Sequence, residues 1–475
     1  MSFTEPLFLL YLTICVVLNR VCPARGRPAF LLVASYVFYC TWSPAAAGLL
    51  ALLTLFAFGA GLVAERARLT EKASIAWLAP AAAVLLTGYL MAFKVALLTP
   101  AHGIAGLVMP LGISYYSFKL ISYVLDVHWG KMDAEKGLVN FAAYVSFFPQ
   151  IVAGPIQRPA DFFAQLPPKP PSMVEPLLRI AWGLVKKLLI ADNLAPTVNA
   201  IYGHVSGLQG APLWAGFYLF PLQLYADFSS LTDIAIGSGQ LLGITGPENF
   251  NRPFTASSIS DFWRRWHMSL TTWLGDYVFV PLRMASRRAG AWGLSFSIAV
   301  NMVAIGLWHG LTGSYLFFGL INAGYLVVDT LTSKRRAAFF RKNPAWDRAG
   351  NWLGWLLTFH LILIAEVFFR AQHVSDAVWL LGHLFNGLAG SLAALDGLLA
   401  GNGMRGLLIG LAGHLILELG ERYRPDQWLR KLYVSAPRWL QWSYCSAGVT
   451  FAIFGLALFF VHTAGKRAAF LYEIF

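Results

Sequence analysis

An imidazole between two glycines is the first feature of this sequence that could do chemistry. The stretch "GLWHG" (306–310) sets His309 beside Trp308 in an otherwise apolar run that also carries Asn301. A neutral imidazole is the side chain best suited to take up a proton near pH 7. A lone histidine in an apolar helix can equally be a hydrogen-bonded core residue. Gly306 and Gly310 favour chemistry, because they thin the helix so that another chain or a substrate can approach. Upstream, "ISDFWRRWHMSLTTWLGDYVFVPLR" (259–283) mixes aromatic rings with Asp261, Arg264, Arg265, His267, Asp276 and Arg283. Charge in apolar surroundings is costly and is by default a functional hypothesis. The planar forks of Arg264 and Arg265, with the basic stretch 283–288, suit phosphate groups. The sequence ends in "KRAAFLYEIF", which spaces Phe470, Tyr472 and Phe475 as F-x-Y-x-x-F. A phenol is activated more easily than an alkyl alcohol, and its ester is a better leaving group. What a base, a charged segment and a phenol do together is left open by the residues themselves. The bland alternative for the tail is an aromatic belt anchor.

The elements that must hold these residues are set by composition. The chain has 475 residues, of which 57% are hydrophobic and 12% charged, against about 25% charged in soluble proteins. That is an all-α polytopic membrane protein. The formal charge of +13 follows from the excess of Lys and Arg in cytoplasmic loops. It does not indicate nucleic acid, since no basic-aromatic module accompanies it. The cysteines (Cys15, Cys22, Cys40 and Cys445) show neither C-x-x-C nor metal spacing and read as small packing residues. The N-terminal apolar run has no basic residues before it and no small-residue cleavage site after it, so it reads as a first transmembrane helix.

Apolar runs approaching the about 20 residues of a span lie near 6–22, 28–42, 45–64, 74–93, 104–125, 138–153, 177–191, 211–226, 293–308, 314–331, 352–369, 403–419 and 440–463. Several are short, and Ser43-Pro44 and Gly154-Pro155 break others. Re-entrant or interfacial helices around an internal chamber follow, because broken backbone at membrane depth needs protein or a cavity around it. The 248–283 stretch reads as an interfacial amphipathic helix that can also line a site. Ser260 is its expected N-cap, with Asp261 in its first turn, and Phe262, Trp266, Trp273 and Tyr277 fall on one side. Residues 1–475 form one integrated domain. The basic loops 333–348 and 421–438 belong in the cytoplasm, which puts the tail, 464–475, on the extracytoplasmic side.

At these residues the sequence resembles the membrane-bound O-acyltransferase (MBOAT) family, in particular its bacterial polysaccharide O-acetylation branch. The resemblance rests on ordered stretches across 109–371. Among them are "FFPQIVAGPIQRPADF" (147–162), "GLVKKLLIADNLA" (183–195), the W-R-R-W-H block ending at His267, "GLWHG", and "VFFRA" (367–371). It implies a helical bundle around a transmembrane funnel or tunnel, with His309 as the catalytic histidine. His267 is the second histidine, which positions the catalyst or the acyl group. Trp308, Asn301, Arg264, Arg265 and Asp276 are supporting or substrate-binding candidates. Two departures point away from alginate as the particular acceptor. The segment after "VFVPL" is short and lacks a Gly-Gly, and Asn322 stands where relatives carry a further histidine.

The resemblance also gives the tail a reading. The D-alanylation branch uses a small single-helix partner ending in F-x-Y-x-x-F, whose tyrosine is thought to carry the acyl group. Here Tyr472 would be the carrier, seated by Phe470 and Phe475. The implied activity is a membrane O-acyltransferase, multi-pass in the cytoplasmic (inner) membrane. It would pass an acyl group, acetyl first among candidates, from a cytoplasmic thioester such as acetyl-CoA to an extracytoplasmic polysaccharide hydroxyl. A periplasmic or membrane-anchored acyltransferase partner would make the final transfer, since the chain contains no G-x-S-x-G. No bound cofactor and no metal are expected. The competing readings are a D-alanyl transfer protein of the teichoic acid type and a non-catalytic transporter of acylated lipid or sugar, which would show inverted repeats.

Overall fold

The computed structural model describes residues 3, 5–71, 73–96, 110–169, 173–400 and 402–423, with the isolated positions 435 and 437. The tail carrying Phe470, Tyr472 and Phe475, the expected 440–463 span and Cys445 lie outside the described residues. Among the described residues every regular element is helical. Six helices are long and apolar enough to cross a membrane: Pro44–Leu69, Ser74–Ala96, Arg287–His309, Gly313–Lys342, Pro344–Arg370 and Gly403–Gly420. Only 17–44% of their most apolar windows is buried inside the protein. Most of that apolar surface therefore faces outward, an arrangement that hydrocarbon tolerates and water does not. Exposed tryptophans collect at helix ends: Trp42, Trp77, Trp292, Trp346 and Trp352. This is where rings that are apolar in body and polar at one edge settle in a bilayer.

Two of the expected breaks form as the sequence predicts. Ser43 caps the Pro44–Leu69 helix, its hydroxyl accepting the Ala46 N–H at 3.2 Å. The chain also leaves helix before Gly154-Pro155. Other spans differ from expectation. The 138–153 run splits into Leu138–Ser146 and Phe148–Ile151, with Pro149 in the first turn of the second piece. Proline supplies no N–H for a continuous ladder. The 6–22 and 28–42 runs give Pro6–Val21 and Arg27–Cys40, of 16 and 14 residues. Of the cysteines there, Cys15 is buried as expected for packing, but Cys40 is exposed. The basic stretch 333–348, expected as a loop, is mostly helix: Gly313–Lys342 runs through it to a short turn at Pro344–Trp346.

The 211–226 run is only the first part of a 31-residue helix, Ala211–Leu241, most of which is buried. It packs against Val174–Val185, Asp192–Gly203 and Asp347–Arg370. Ion pairs tie its polar face to the π-helical stretch Lys186–Ala191. Lys187 Nζ lies 2.7 Å from Asp227 and 3.0 Å from Asp192, while Lys186 and Arg179 both reach Asp233. Each of the buried charges on this face has an opposite partner, the condition under which charge is tolerated away from water. The family-like stretch 183–195 thus owes part of its composition to this pairing.

The 258–285 segment is not one amphipathic helix. Its N-cap is Ser258, whose hydroxyl accepts the Asp261 N–H at 3.1 Å. Ser260, the expected cap, instead donates its hydroxyl and its N–H to Asp329 at 2.5 and 2.9 Å. The first helical piece is Ile259–Trp263 and the second Met268–Leu274. Between them His267 takes a left-handed backbone, φ 44° and ψ 50°. Such a conformation costs about 1–3 kcal/mol in a non-glycine residue and persists only where the surroundings enforce it. Asn249, fully buried, does much of the enforcing. Its carbonyl accepts the Met268 N–H at 2.9 Å and its Oδ1 the Ser269 N–H at 3.1 Å.

Candidate active site

His309 is the last residue of the Gly290–His309 helix, and the chain leaves it through extended backbone at Gly310. Gly306 brings the next helix to this turn. A Cβ at 306 would lie 2.3 Å from the Tyr315 carbonyl oxygen, and one at Gly319 would lie 2.8 Å from the Met302 carbonyl oxygen. The close approach that the glycines permit is therefore made by a neighbouring helix rather than by substrate. A Cβ at 310 would likewise meet the Tyr315 ring, at 2.6 Å. That packing sets rings around the imidazole: Phe369 at 4.7 Å edge-on and Tyr315 at 6.1 Å nearly parallel, centroid to centroid.

The left-handed turn at His267 delivers the second imidazole to the same place. Its ring lies 4.7 Å from Phe228 and 5.6 Å from Trp308, and Trp308 lies 4.8 Å from His309. Trp308 thus sits between the two histidines. It is held by Tyr115 at 5.7 Å and by Phe118, which stacks on Trp273 at 3.9 Å. Both imidazoles are buried and line one narrow cavity of ≈ 10 Å³, room for about one water. Its remaining wall is leucine, isoleucine, phenylalanine and tryptophan, with one exception, Glu366. Burial pushes the His267 pKa down to about 3, so this ring is neutral at ordinary pH. A neutral, shielded imidazole can accept a proton, and ring walls exclude water that would compete for an activated acyl group.

The other sequence candidates lie apart from the cavity wall. Asn301 is buried earlier on the His309 helix, and its Oδ1 has no hydrogen-bond partner among the described residues. Arg265 Nε lies 3.0 Å from Asp261, and Arg264 lies 3.6 Å from the same carboxylate. Asp276 pairs with Arg158 at 2.6 Å. Asn322 is buried, and its side-chain amide donates to the Phe318 carbonyl at 2.9 Å. The sequence reading missed two residues here. Lys94 is buried and donates through Nζ to the Trp308 carbonyl. It thereby satisfies one of the carbonyls that a helix leaves open at its C-terminal end. Glu366 is the other. Each is an ionisable residue inside an apolar run, a signal that could have been read from sequence. What could not be read is which neighbour each one meets.

The model of the MBOAT, membrane-bound O-acyltransferase, family matches residues 133–369, which include His267, His309 and Glu366. The chain is 34% identical over 395 residues to a protein of Azotobacter vinelandii named "Probable alginate O-acetylase AlgI", an alignment covering 80% of this chain and 77% of that one. It is 30% identical over 302 residues to a peptidoglycan O-acetyltransferase of Helicobacter pylori, covering 57% and 56%. To a teichoic acid D-alanyltransferase of Streptococcus thermophilus it is 28% identical over 293 residues, covering 56% and 70%. The chain belongs to the membrane-bound O-acyltransferase family. It is a multi-pass membrane acyltransferase, and the histidine cavity lies within the part of the chain that defines the family.

Proposed function

We propose that the chain takes an acetyl group from acetyl-CoA at the cytoplasmic face of the inner membrane and passes it to a hydroxyl on the other side. The polysaccharide acceptor is reached through a separate periplasmic or membrane-anchored transferase. The observation that carries this reading is the joint placement of His309 and His267 on one shielded cavity, the first from the end of a helix and the second from a left-handed turn. In this reading His309 takes the proton from the attacking hydroxyl as its oxygen adds to the thioester carbonyl. The carbon–sulfur bond then breaks, and the thiol of CoA leaves with a proton. His267 and Trp308 position the reactants. The hydroxyl is that of Tyr472 or of a partner's side chain, and a relay of this kind divides one transfer into two easier steps. Acetyl is favoured over D-alanyl because the relatives named for O-acetylation align at higher identity, 34% and 30% against 28%.

The test is transfer from radiolabelled acetyl-CoA by the full chain in lipid nanodiscs. His309→Ala should lose about 10²–10⁴-fold in transfer rate while inserting and melting like wild type. Undiminished transfer by that variant would remove His309 from the reaction. Transfer from a D-alanyl donor in place of acetyl-CoA would move the chain to the D-alanylating readings.

A further inference from the structure

Lys94 is a charge that the proposed acyl transfer leaves without a task. It lies near the end of the Leu78–Ala96 helix, which packs on Ile113–His128 and on Pro44–Leu69. Its side chain is buried, and through Nζ it donates to the Trp308 carbonyl. That is its one hydrogen bond among the described residues, and none of their carboxylates pairs with it. Nζ also lies 6.0 Å from the centre of the Trp308 ring, a weak attraction at that distance. A buried ammonium without a counter-charge is costly. Packing alone would be met by methionine at 94, an unbranched chain without the charge. An ionisable residue inside an apolar span is a functional signal, and the bond Lys94 makes shows where it acts.

The Trp308 carbonyl belongs to the peptide plane that also carries the His309 N–H. That plane is rigid, so holding its oxygen fixes the backbone that enters His309. The next residue is Gly310, where the missing side chain leaves the backbone least restrained. The Trp308 ring is held separately, by Tyr115 and Phe118 of the Ile113–His128 helix. Trp308 is thus gripped at its ring from one helix and at its carbonyl from another.

We propose that Lys94 is a positioning residue for acyl transfer: by holding the Trp308 carbonyl it fixes the turn that aims His309 into the cavity. The inference rests on His309 as the site of acyl transfer. Without the ammonium, that carbonyl loses its donor at the open end of a helix, and the imidazole loses its fixed bearing on the reacting hydroxyl. Misplacing a reacting group by about 1 Å can cost about a hundredfold in rate. Donor binding does not depend on that bearing, so the loss falls on kcat rather than on KM.

The experiment compares wild type, Lys94→Met and Lys94→Arg as full chains in nanodiscs, with labelled acetyl-CoA as donor. Lys94→Met should lower kcat by roughly tenfold to a hundredfold and leave KM within about twofold of wild type. Lys94→Arg, which still donates, should recover most of kcat. Lys94→Met should melt no lower than wild type, because it removes a buried charge. A second readout needs no turnover: modification of His309 by diethyl pyrocarbonate, followed by peptide mass analysis. His309 should react faster in Lys94→Met, because a loosened turn uncovers the ring, and at the wild-type rate in Lys94→Arg. Wild-type kcat in Lys94→Met overturns the proposal, as does a loss carried by KM. A lowered melting temperature in Lys94→Met with His309 modified no faster also overturns it, by making Lys94 a structural residue. If wild type does not consume acetyl-CoA, the donor assignment fails separately and the modification rates decide: faster reaction in Lys94→Met keeps the proposal, and equal rates end it.

Discussion

The two imidazoles reach one cavity by different backbone devices, and the difference predicts how each responds to change. His309 ends a regular helix, whereas His267 stands in a left-handed turn between two short ones. Replacing His309 should remove chemistry and leave the scaffold intact. Replacing His267 also tests the turn, which Asn249 holds through the N–H groups of Met268 and Ser269 whatever side chain stands at 267. The buried neutral state of His267 makes stability depend on pH in a defined direction. Its folded pKa of about 3 lies below the ordinary value of 6.5. Above that ordinary value both the folded and the unfolded chain hold it neutral, and it adds no pH dependence. As pH falls from 6.5 toward about 3, the unfolded chain binds a proton that the folded one refuses. Stability then drops by up to about 1.4 kcal/mol per pH unit. Acid melting curves of wild type and His267→Gln check this: the glutamine variant should lose less stability between neutral pH and pH about 4. Parallel curves would show that the ring is not shielded from protons in the folded protein. Because His267 does not titrate near neutrality, it should also leave no mark on the pH–rate profile there.

At the level of elements, the site depends on a close helix crossing. A methyl group at 306 would stand 2.3 Å from the Tyr315 carbonyl oxygen, which is backbone and cannot swing away. Gly306→Ala should therefore push the Gly313–Lys342 helix off the Gly290–His309 helix, at a cost of about 1–3 kcal/mol. It should also displace the Tyr315 ring from His309, so activity should fall further than the loss of stability explains. Gly324, on the same second helix, has open space where a methyl group would stand, with nothing within 4 Å, so Gly324→Ala is the control. Equal melting temperatures for the two variants would show that the crossing is not tight. These crossings mark the boundary of what the sequence made legible. Features written in local residue order were readable: the Ser43-Pro44 start, the outward apolar helices, and the histidine between glycines. Readings that needed a partner distant in sequence went astray. Ser260 looked like a cap because serine before an acidic first turn usually is one, but Asp329 claims its hydroxyl and Ser258 caps instead. Gly306 read as an opening for either another chain or a substrate, and it is a neighbouring helix that fills it. Lys94 and Glu366 are legible as charges in apolar runs, but the neighbour each one meets is not. Only folding sets the first beneath Trp308 and the second on the histidine cavity.

For the whole molecule, the task in the proposed reading is to carry an acyl group past a bilayer that the donor cannot cross. The outward apolar surface and the exposed tryptophans at helix ends fit the chain to that bilayer, and in the proposed reading the histidine cavity is where the group is exchanged. What remains is the hydroxyl that first receives it. The spacing Phe470-x-Tyr472-x-x-Phe475 offers a phenol flanked by rings, in a segment outside the described residues. If Tyr472 is that hydroxyl, the flanking rings seat it so that its oxygen can reach the cavity. Well-oriented reactants of this kind can contribute roughly 7–11 kcal/mol toward the barrier in favourable cases. Tyr472→Phe keeps the ring and nearly all of its apolar area and removes one oxygen. A belt anchor should hardly notice the change, whereas a carrier loses its nucleophile. The relay therefore predicts that Tyr472→Phe abolishes transfer to the acceptor without altering melting temperature, and that removing residues 470–475 has the same effect. Incubation with isotopically labelled acetyl-CoA and peptide mass analysis should find the label on Tyr472 in wild type and not in His309→Ala. Wild-type transfer by Tyr472→Phe would return the tail to the role of an aromatic anchor and pass the nucleophile's part to a hydroxyl on the partner protein.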